Sequence, residues 1–149
     1  MDIIIDEKKS SYTEYEHIEL FSMRLRLKCN KSNQLCGKAL TLNRLCNQPF
    51  ILMDENSNMN EILTKACKRA GFTPTISVLC NDIECYEKFL AAGMGIGIGR
   101  EAADGLSGDV CDLNVMDFRE HYTVYAYYSP KEYYGNVKDF IDFLKSKEI

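Results

Sequence analysis

The sequence has few of the residues that metal and nucleophilic chemistry require. Its 149 residues include no tryptophan, three prolines and two histidines, His17 and His121, which lie far apart. Its seven cysteines contain no CxxC pair, so neither a zinc site nor a disulfide framework is expected. We interpret the cysteines as buried thiols that act as small hydrophobic side chains, although sequence alone leaves a Cys/His nucleophile open. No metal, cofactor or catalytic residue is predicted.

Long apolar runs and a basic excess are also missing. No apolar run approaches the roughly 18–20 residues that a membrane-spanning helix needs, and MDIIIDEKKS does not resemble a signal peptide. Eighteen Lys and Arg against 22 Asp and Glu give a net charge of −4. This balance disfavours a chain that holds nucleic acid by itself, because clustered basic residues supply most of such affinity. We therefore expect a cytoplasmic protein with a small-molecule or protein partner and no membrane contact.

The centre of the chain alternates strand and helix patterns. PFILM (49–53) is typical of a buried strand, and an apolar stripe at helical spacing follows from Asn58, which could cap that helix. TISVL (75–79) predicts a second strand, and Asn81 or Asp82 could cap the next helix. MGIGIG (94–99) predicts a third strand. This strand–helix–strand–helix–strand order with short connections predicts right-handed crossovers and a parallel sheet.

The flanking segments give weaker patterns. Residues 21–29 alternate apolar and polar side chains, which predicts a strand whose basic face either attracts an anion or is simply solvated. The remaining expectations are a buried parallel strand at 2–6 (DIIID), a short helical turn within 100–109, a connecting strand at 110–116, an aromatic strand at 121–129, and a C-terminal helix with Val137, Phe140, Ile141 and Leu144 facing inward.

Glycines at positions 93, 95, 97 and 99 of FLAAGMGIGIGREAADG suggest a phosphate-binding loop. Neither register matches GxGxxG, and no Gly-Lys-Ser/Thr follows as a P-loop would need. The glycines also come after a helix and within a predicted strand, whereas a dinucleotide loop opens a helix. We interpret them as the bare face of a strand, where another backbone, a helix or a ligand can approach closely.

The order of these motifs resembles the effector-binding domain of LysR-type transcriptional regulators. The shared features are the Pro49–Met53 strand, the Ala70-Gly71-Phe72-Thr73-Pro74 turn, the Asn81-Asp82 pair and Ala92-Gly93-Met94-Gly95-Ile96. The resemblance covers nearly all of residues 1–149. It implies an α/β fold like that of type II periplasmic binding proteins, with one complete Rossmann-like lobe at approximately 20–115 and part of a second lobe. The winged helix-turn-helix and the first part of lobe I are not found in this chain.

The resemblance also implies a function without catalysis. In this family a small-molecule effector binds between the two lobes and biases a DNA-bound homo-oligomer, and DNA is contacted through the helix-turn-helix. Two alternatives stay open: a solute-binding protein of the same fold, and a truncated remnant without function. An enzyme would need convergent titratable groups, which two scattered histidines do not supply.

Candidate effector contacts lie where parallel strands end, near the amino ends of helices, because free backbone N–H groups there favour polar and anionic groups. Asn58, Asn81 and Asp82 are equally explained as helix caps. Arg100 replaces part of the family's Leu-Pro pair and could bind a carboxylate or phosphate, or pair with Glu101 or Asp104. The full predicted set is Asp54, Asn56, Ser57, Asn58, Asn81, Asp82 and Arg100. Because Asp54 and Glu55 would repel an acid, a polar or cationic effector stays open beside a carboxylate.

Overall fold

A computed structural model describes residues 3–7, 12–53, 58–103 and 105–147. The chain forms two compact units, one made of Met1–Met23 with His121–Ile149 and the other of Arg24–Glu120. The strands and helices of the described residues are β1 Ile3–Glu7, β2 Glu16–Asn30, β3 Ala39–Leu40, β4 Pro49–Leu52, α1 Asn58–Arg69, β5 Thr75–Leu79, α2 Ile83–Ala91, β6 Gly97–Arg100, β7 Leu106–Ser107, β8 Val110–Asp112, β9 Asn114–Val115, β10 His121–Tyr128 and α3 Gly135–Lys145.

The first unit is built on β10, which lies between β1 and β2. β1 pairs antiparallel with β10, with Ile5 opposite Ala126. The expectation of a parallel strand buried on both faces is therefore wrong. An antiparallel strand can leave one face in water, and Ile5 is 57% exposed.

Helix α3 covers one face of β10. Ile141 is fully buried and packs with Ala126 and Tyr128, with Val137 and Leu144 at the margin of this cluster. Phe140 was also expected to face inward, but it is 39% exposed. It is not among the residues that pack against the Ala126 cluster. The aromatic strand expected at 121–129 is confirmed as β10. On the face of β10 opposite α3, Tyr125 and Tyr127 contact each other and His17.

The second unit contains the predicted strand–helix repeat. β4 and β5 pair in parallel, and Ile96 forms a parallel bridge with Phe50. The third strand then changes partner, because β6 pairs antiparallel with β2 and places Ile98 opposite Leu27. The α/β class with mixed sheets is thus confirmed, whereas an entirely parallel sheet is not.

Strand β2 supplies much of the core of this unit. Leu25, Leu27 and Cys29 are buried as the alternation predicts, and α1 buries Leu63 against the same unit. The strand begins at Glu16, five residues before the predicted start. In this first part Ile18 and Leu20 are half-buried against the Ala126 cluster and alternate with exposed residues.

No helix is assigned among the described residues of 100–109, where the N–H of Gly105 donates to the carbonyl of Ala102 at 3.2 Å in a single turn. β7 and β8 form an antiparallel hairpin, with Leu106 opposite Cys111. Gly105 and Gly108 have φ values of +77° and +58°, a conformation that glycine adopts without strain and that a hairpin turn uses. Within the described part of the chain, no helix has the length and apolar character needed to cross a membrane.

Candidate functional site

The amino end of α2 is fixed by a side-chain cap. Asp82 Oδ1 accepts a hydrogen bond from the backbone N–H of Cys85 at 2.9 Å, as the sequence predicts for one of the two residues at this end. This bond lowers the pKa of the Asp82 carboxyl. The corresponding prediction for α1 is wrong, because Asn58 is the first residue of the helix instead of its cap.

Helix α2 is joined to the glycine strand through Tyr86. Its buried hydroxyl donates to the carbonyl of Ile98 at 2.8 Å and accepts from the N–H of the same residue at 2.7 Å. One hydroxyl thus satisfies both backbone groups of Ile98, as a neighbouring strand would. Burial raises the pKa of Tyr86 to about 12.

The glycines of this strand permit that close approach. A Cβ atom on Gly97 would overlap the Tyr86 hydroxyl oxygen and lie 2.7 Å from Leu90 Cδ2. A Cβ on Gly95 would lie 2.8 Å from the carbonyl oxygen of Pro49. The interpretation of the glycines as a bare face that admits neighbours is confirmed, and the neighbours are Tyr86, Leu90 and the backbone of β4.

A cavity of 840 Å³ opens beside this junction. Residues from α2 and from strands β2, β6, β7 and β8 line it, together with Met53 and Met59 at the two sides of the loop between β4 and α1. Its size lies in the range of small-molecule sites. The apolar part of the lining is Met53, Met59, Ile83, Leu90, Ile98 and Val110.

Lys28, which lines the cavity, belongs to a buried ion pair. Lys28 Nζ lies 2.5 Å from Asp112 Oδ1, and the two side chains are 11% and 7% exposed. The other oxygen of Asp112 accepts the N–H of Ala102 at 2.8 Å. Because one oxygen of this carboxylate holds the Lys28 ammonium and the other holds the N–H of Ala102, it fixes β2, β8 and residue 102 to one another. Lys28 is therefore not on a solvated face, contrary to one of the two interpretations of the basic face.

The other charged residues of the lining differ in how they are paired. Glu101 accepts two hydrogen bonds from Arg26, at 2.9 and 2.8 Å, and these lower the pKa of its carboxyl. Asp109 pairs with Lys31 at 3.0 Å. Arg100 and Glu87 also line the cavity, and neither has an ion pair among the residues that the structure describes.

The structure describes four of the seven predicted site residues. Arg100 lines the cavity. Asn58, Asn81 and Asp82 are not among the described lining residues, although their chain neighbours Met59 and Ile83 are. Asp54, Asn56 and Ser57 lie outside the described residues.

The lining residues that were not predicted as site residues include Tyr86, Lys28 and Asp109. Tyr86 gives no polar signal within its helix, and Lys28 belongs to the basic face predicted for residues 21–29. Asp109 lies in the segment expected to be a helical turn. Only the pattern of β2 gave a signal, since it marked Lys28 as part of a basic face. The described residues contain no group of three or more His, Cys, Asp or Glu side chains that could hold a metal ion.

Comparison with known proteins identifies the family. The chain matches the LysR substrate binding domain over residues 1–148, and it belongs to this family. The fold expected from the resemblance, that of type II periplasmic binding proteins, is thereby confirmed.

Individual relatives are more distant. The transcriptional dual regulator GltC of Bacillus subtilis (strain 168) is 34% identical over 59 residues, which are 40% of this chain and 20% of that regulator. The chain thus matches one fifth of the length of this curated relative. The regulatory domain of CcmR from Synechocystis PCC6803, solved in complex with 2-PG, superposes with a TM-score of 0.83 at 16% identity, covering 97% of this chain and 72% of that one. The effector binding domain of QuiR in complex with shikimate gives 0.81 at 15% identity, with 96% and 69% covered.

Proposed function

We propose that this chain is the ligand-sensing part of a LysR-type transcription regulator and that the 840 Å³ cavity of the Arg24–Glu120 unit holds its effector. The observation that carries the proposal is the combination of an apolar cavity with a cation, Arg100, that has no ion pair among the described residues. Ligand sites are commonly concave and apolar with a few polar groups that fix orientation.

The lining favours a small molecule with an apolar body and one anionic group. Met53, Ile83 and Val110 offer apolar surface, and an arginine at the end of a strand can hold a carboxylate or phosphate through two parallel hydrogen bonds. Glu87 on α2 would repel a second anionic group. Two similar domains were solved with 2-PG and with shikimate, which makes these compounds suitable first probes.

The paired charges of the wall support sensing over catalysis. Lys28 is held by Asp112, Glu101 by Arg26 and Asp109 by Lys31. These three groups are engaged in ion pairs, whereas Glu87 has none among the described residues. We assign the cavity a binding role, in keeping with the family.

The remaining predicted contacts stay proposals. The described chain neighbours of residues 54–57, Met53 and Met59, line the cavity, which supports Asp54, Asn56 and Ser57, together with Asn58, as proposed contacts. Asn81 and Asp82 precede Ile83 of the lining and stay proposed as well. We further propose that the whole protein is a cytoplasmic homo-oligomer that contacts DNA through a helix-turn-helix domain, and that effector binding changes its arrangement.

Thermal-shift screening of the chain with 2-PG, shikimate and small mono- and dicarboxylates tests the binding role. A ligand present at about one hundred times its Kd should raise stability by about 2.7 kcal/mol, or roughly 5–10 °C for a domain of this size. A hit is then titrated calorimetrically against variants.

Arg100→Gln should weaken binding of the hit by about 10–100-fold, because one charge-assisted contact is lost. Arg44→Gln is the matched control, since Arg44 is an exposed arginine of the 3₁₀ helix Leu42–Leu45. Equal affinities of both variants would remove Arg100 from the site. The absence of any hit would leave the cavity without support as the effector site.

A further inference from the structure

Three of the seven cysteines meet at the end of β2. Cys29 Sγ lies 3.4 Å from Cys36 Sγ. Cys111 on β8 is the direct cross-strand neighbour of Cys29, and its thiol donates to the carbonyl of Asp112 at 3.3 Å. The Cys36 thiol also lies 3.4 Å from the carbonyl oxygen of Asn30, so Cys29 and Cys36 are the two thiols in direct contact.

The turn after β2 holds Cys36 in this place. The N–H of Asn33 bonds to the carbonyl of Asn30 at 2.9 Å, and the N–H of Cys36 bonds to the carbonyl of Asn33 at 3.1 Å. The Asn33 side chain also accepts the N–H of Leu35 at 2.9 Å. The two sulfurs are therefore brought together by backbone structure, and a disulfide between them needs little further rearrangement.

We propose that Cys29 and Cys36 are a thiol pair that oxidises reversibly to an intrachain disulfide. A peroxide oxidises the Cys36 thiol to a sulfenic acid and is itself reduced to the alcohol, or to water when the oxidant is hydrogen peroxide. The sulfur of Cys29 then attacks the Cys36 sulfur, the S–S bond forms, and the hydroxyl leaves as water with the proton of the Cys29 thiol. Two thiols and one peroxide thus give one disulfide, one alcohol and one water.

Exposure sets the order of these steps. Cys36 is half-buried, whereas Cys29 is 1% exposed, so the oxidant reaches Cys36 first and Cys29 completes the bond. Burial raises the pKa of both thiols, so the thiolate fraction is small at neutral pH and the oxidation should be faster at alkaline pH. This site is separate from the proposed effector contacts and does not depend on them.

The tryptic fragments of this chain make the test direct. Cleavage after Lys28, Lys31 and Lys38 places Cys29 and Cys36 in separate peptides, 29–31 and 32–38, and Cys111 falls in 101–119. The native chain is treated with hydrogen peroxide or with diamide, a reagent that oxidises pairs of thiols to disulfides. It is then blocked with N-ethylmaleimide after denaturation, digested and analysed by mass spectrometry.

We expect the number of thiols that react with N-ethylmaleimide to fall from seven to five, with peptides 29–31 and 32–38 joined at a mass two hydrogens below their sum. Dithiothreitol should reverse the change. Cys36→Ser should abolish the linked species, while Cys46→Ser, at an exposed cysteine outside the cluster, should retain it. Predominant linkage of 32–38 to 101–119, linkage between chains, or seven reactive thiols after treatment would each overturn the proposal.

Discussion

The hydroxyl of Tyr86 offers the sharpest test of how the glycine strand is held. Tyr86→Phe removes one oxygen and keeps the ring, so the backbone N–H and carbonyl of Ile98 lose a shared partner. Ile98 is buried, and a buried polar group left unsatisfied costs about 1–3 kcal/mol. We expect Tyr86→Phe to lower the free energy of unfolding by about 2–4 kcal/mol.

Tyr128→Phe is the matched control. Tyr128 is as buried as Tyr86, each being 4% exposed, but its hydroxyl donates to the carboxylate of Glu16 at 3.0 Å. Glu16 is exposed, so water can replace the lost bond, and we expect a cost of about 1 kcal/mol.

Thermal melting and urea unfolding, followed by circular dichroism, measure the difference between the two variants. The Tyr86→Phe melting temperature should fall by roughly 6–12 °C. A loss no larger than that of Tyr128→Phe would refute the conclusion that one hydroxyl carries both hydrogen bonds of Ile98.

Three further outcomes follow from the same part of the molecule. Because the pKa of Tyr86 is raised to about 12, the folded state keeps this phenol protonated where the unfolded chain ionises near pH 10. Its contribution is therefore complete below pH 10 and is lost as the pH rises to 12, and urea titrations should show the difference in stability between wild type and Tyr86→Phe shrinking by about 2–3 kcal/mol over this window. Lys28→Met should lower the free energy of unfolding in urea by about 3–5 kcal/mol, because Asp112 stays buried without its cation. The double variant Lys28→Met with Asp112→Asn should lose less, and Lys65→Met, at an exposed pair with Glu61, should lose at most about 1 kcal/mol. An equal loss in all three variants would contradict the burial of the ion pair. Gly97→Ala should lower the free energy of unfolding by about 1–3 kcal/mol, because its Cβ would meet Tyr86 and Leu90. Gly99→Ala should lower it less, since the nearest atom to its Cβ is the flexible Cε of Lys28 at 3.0 Å. The reverse order in thermal melting would show that the approach of α2 does not depend on Gly97.

Local signals in the sequence predicted most of the second unit. The cap at Asp82 and the end of α2 at Gly93, where φ is +76°, depend on residues a few positions apart, and the pattern contains them. The buried side chains of β2 and α1 follow from periodicity for the same reason. The hairpin of β7 and β8 could also have been predicted from the sequence, because glycines such as Gly105 and Gly108 are typical of turns.

Other features depend on distant partners and left no local trace. Ile96 bridges to β4, whereas the strand from Gly97 onward pairs with β2. Nothing in MGIGIG indicates that the pairing partner changes at this point. Lys28 and Asp112 are 84 positions apart, so their ion pair could not be inferred from either neighbourhood. At the candidate site, Arg100 was found from its place at a strand end, whereas Tyr86 was hidden because a hydroxyl on an apolar helix face gives no periodic signal.

The most direct measurement for the central claim is a crystal structure of this chain with a ligand found by the thermal-shift screen. We predict ligand density in the cavity beside Ile98 and Val110, with an anionic group of the ligand within hydrogen-bond distance of the Arg100 guanidinium. A ligand bound elsewhere on the chain, with this cavity free of it, would contradict the assignment of the cavity as the effector site.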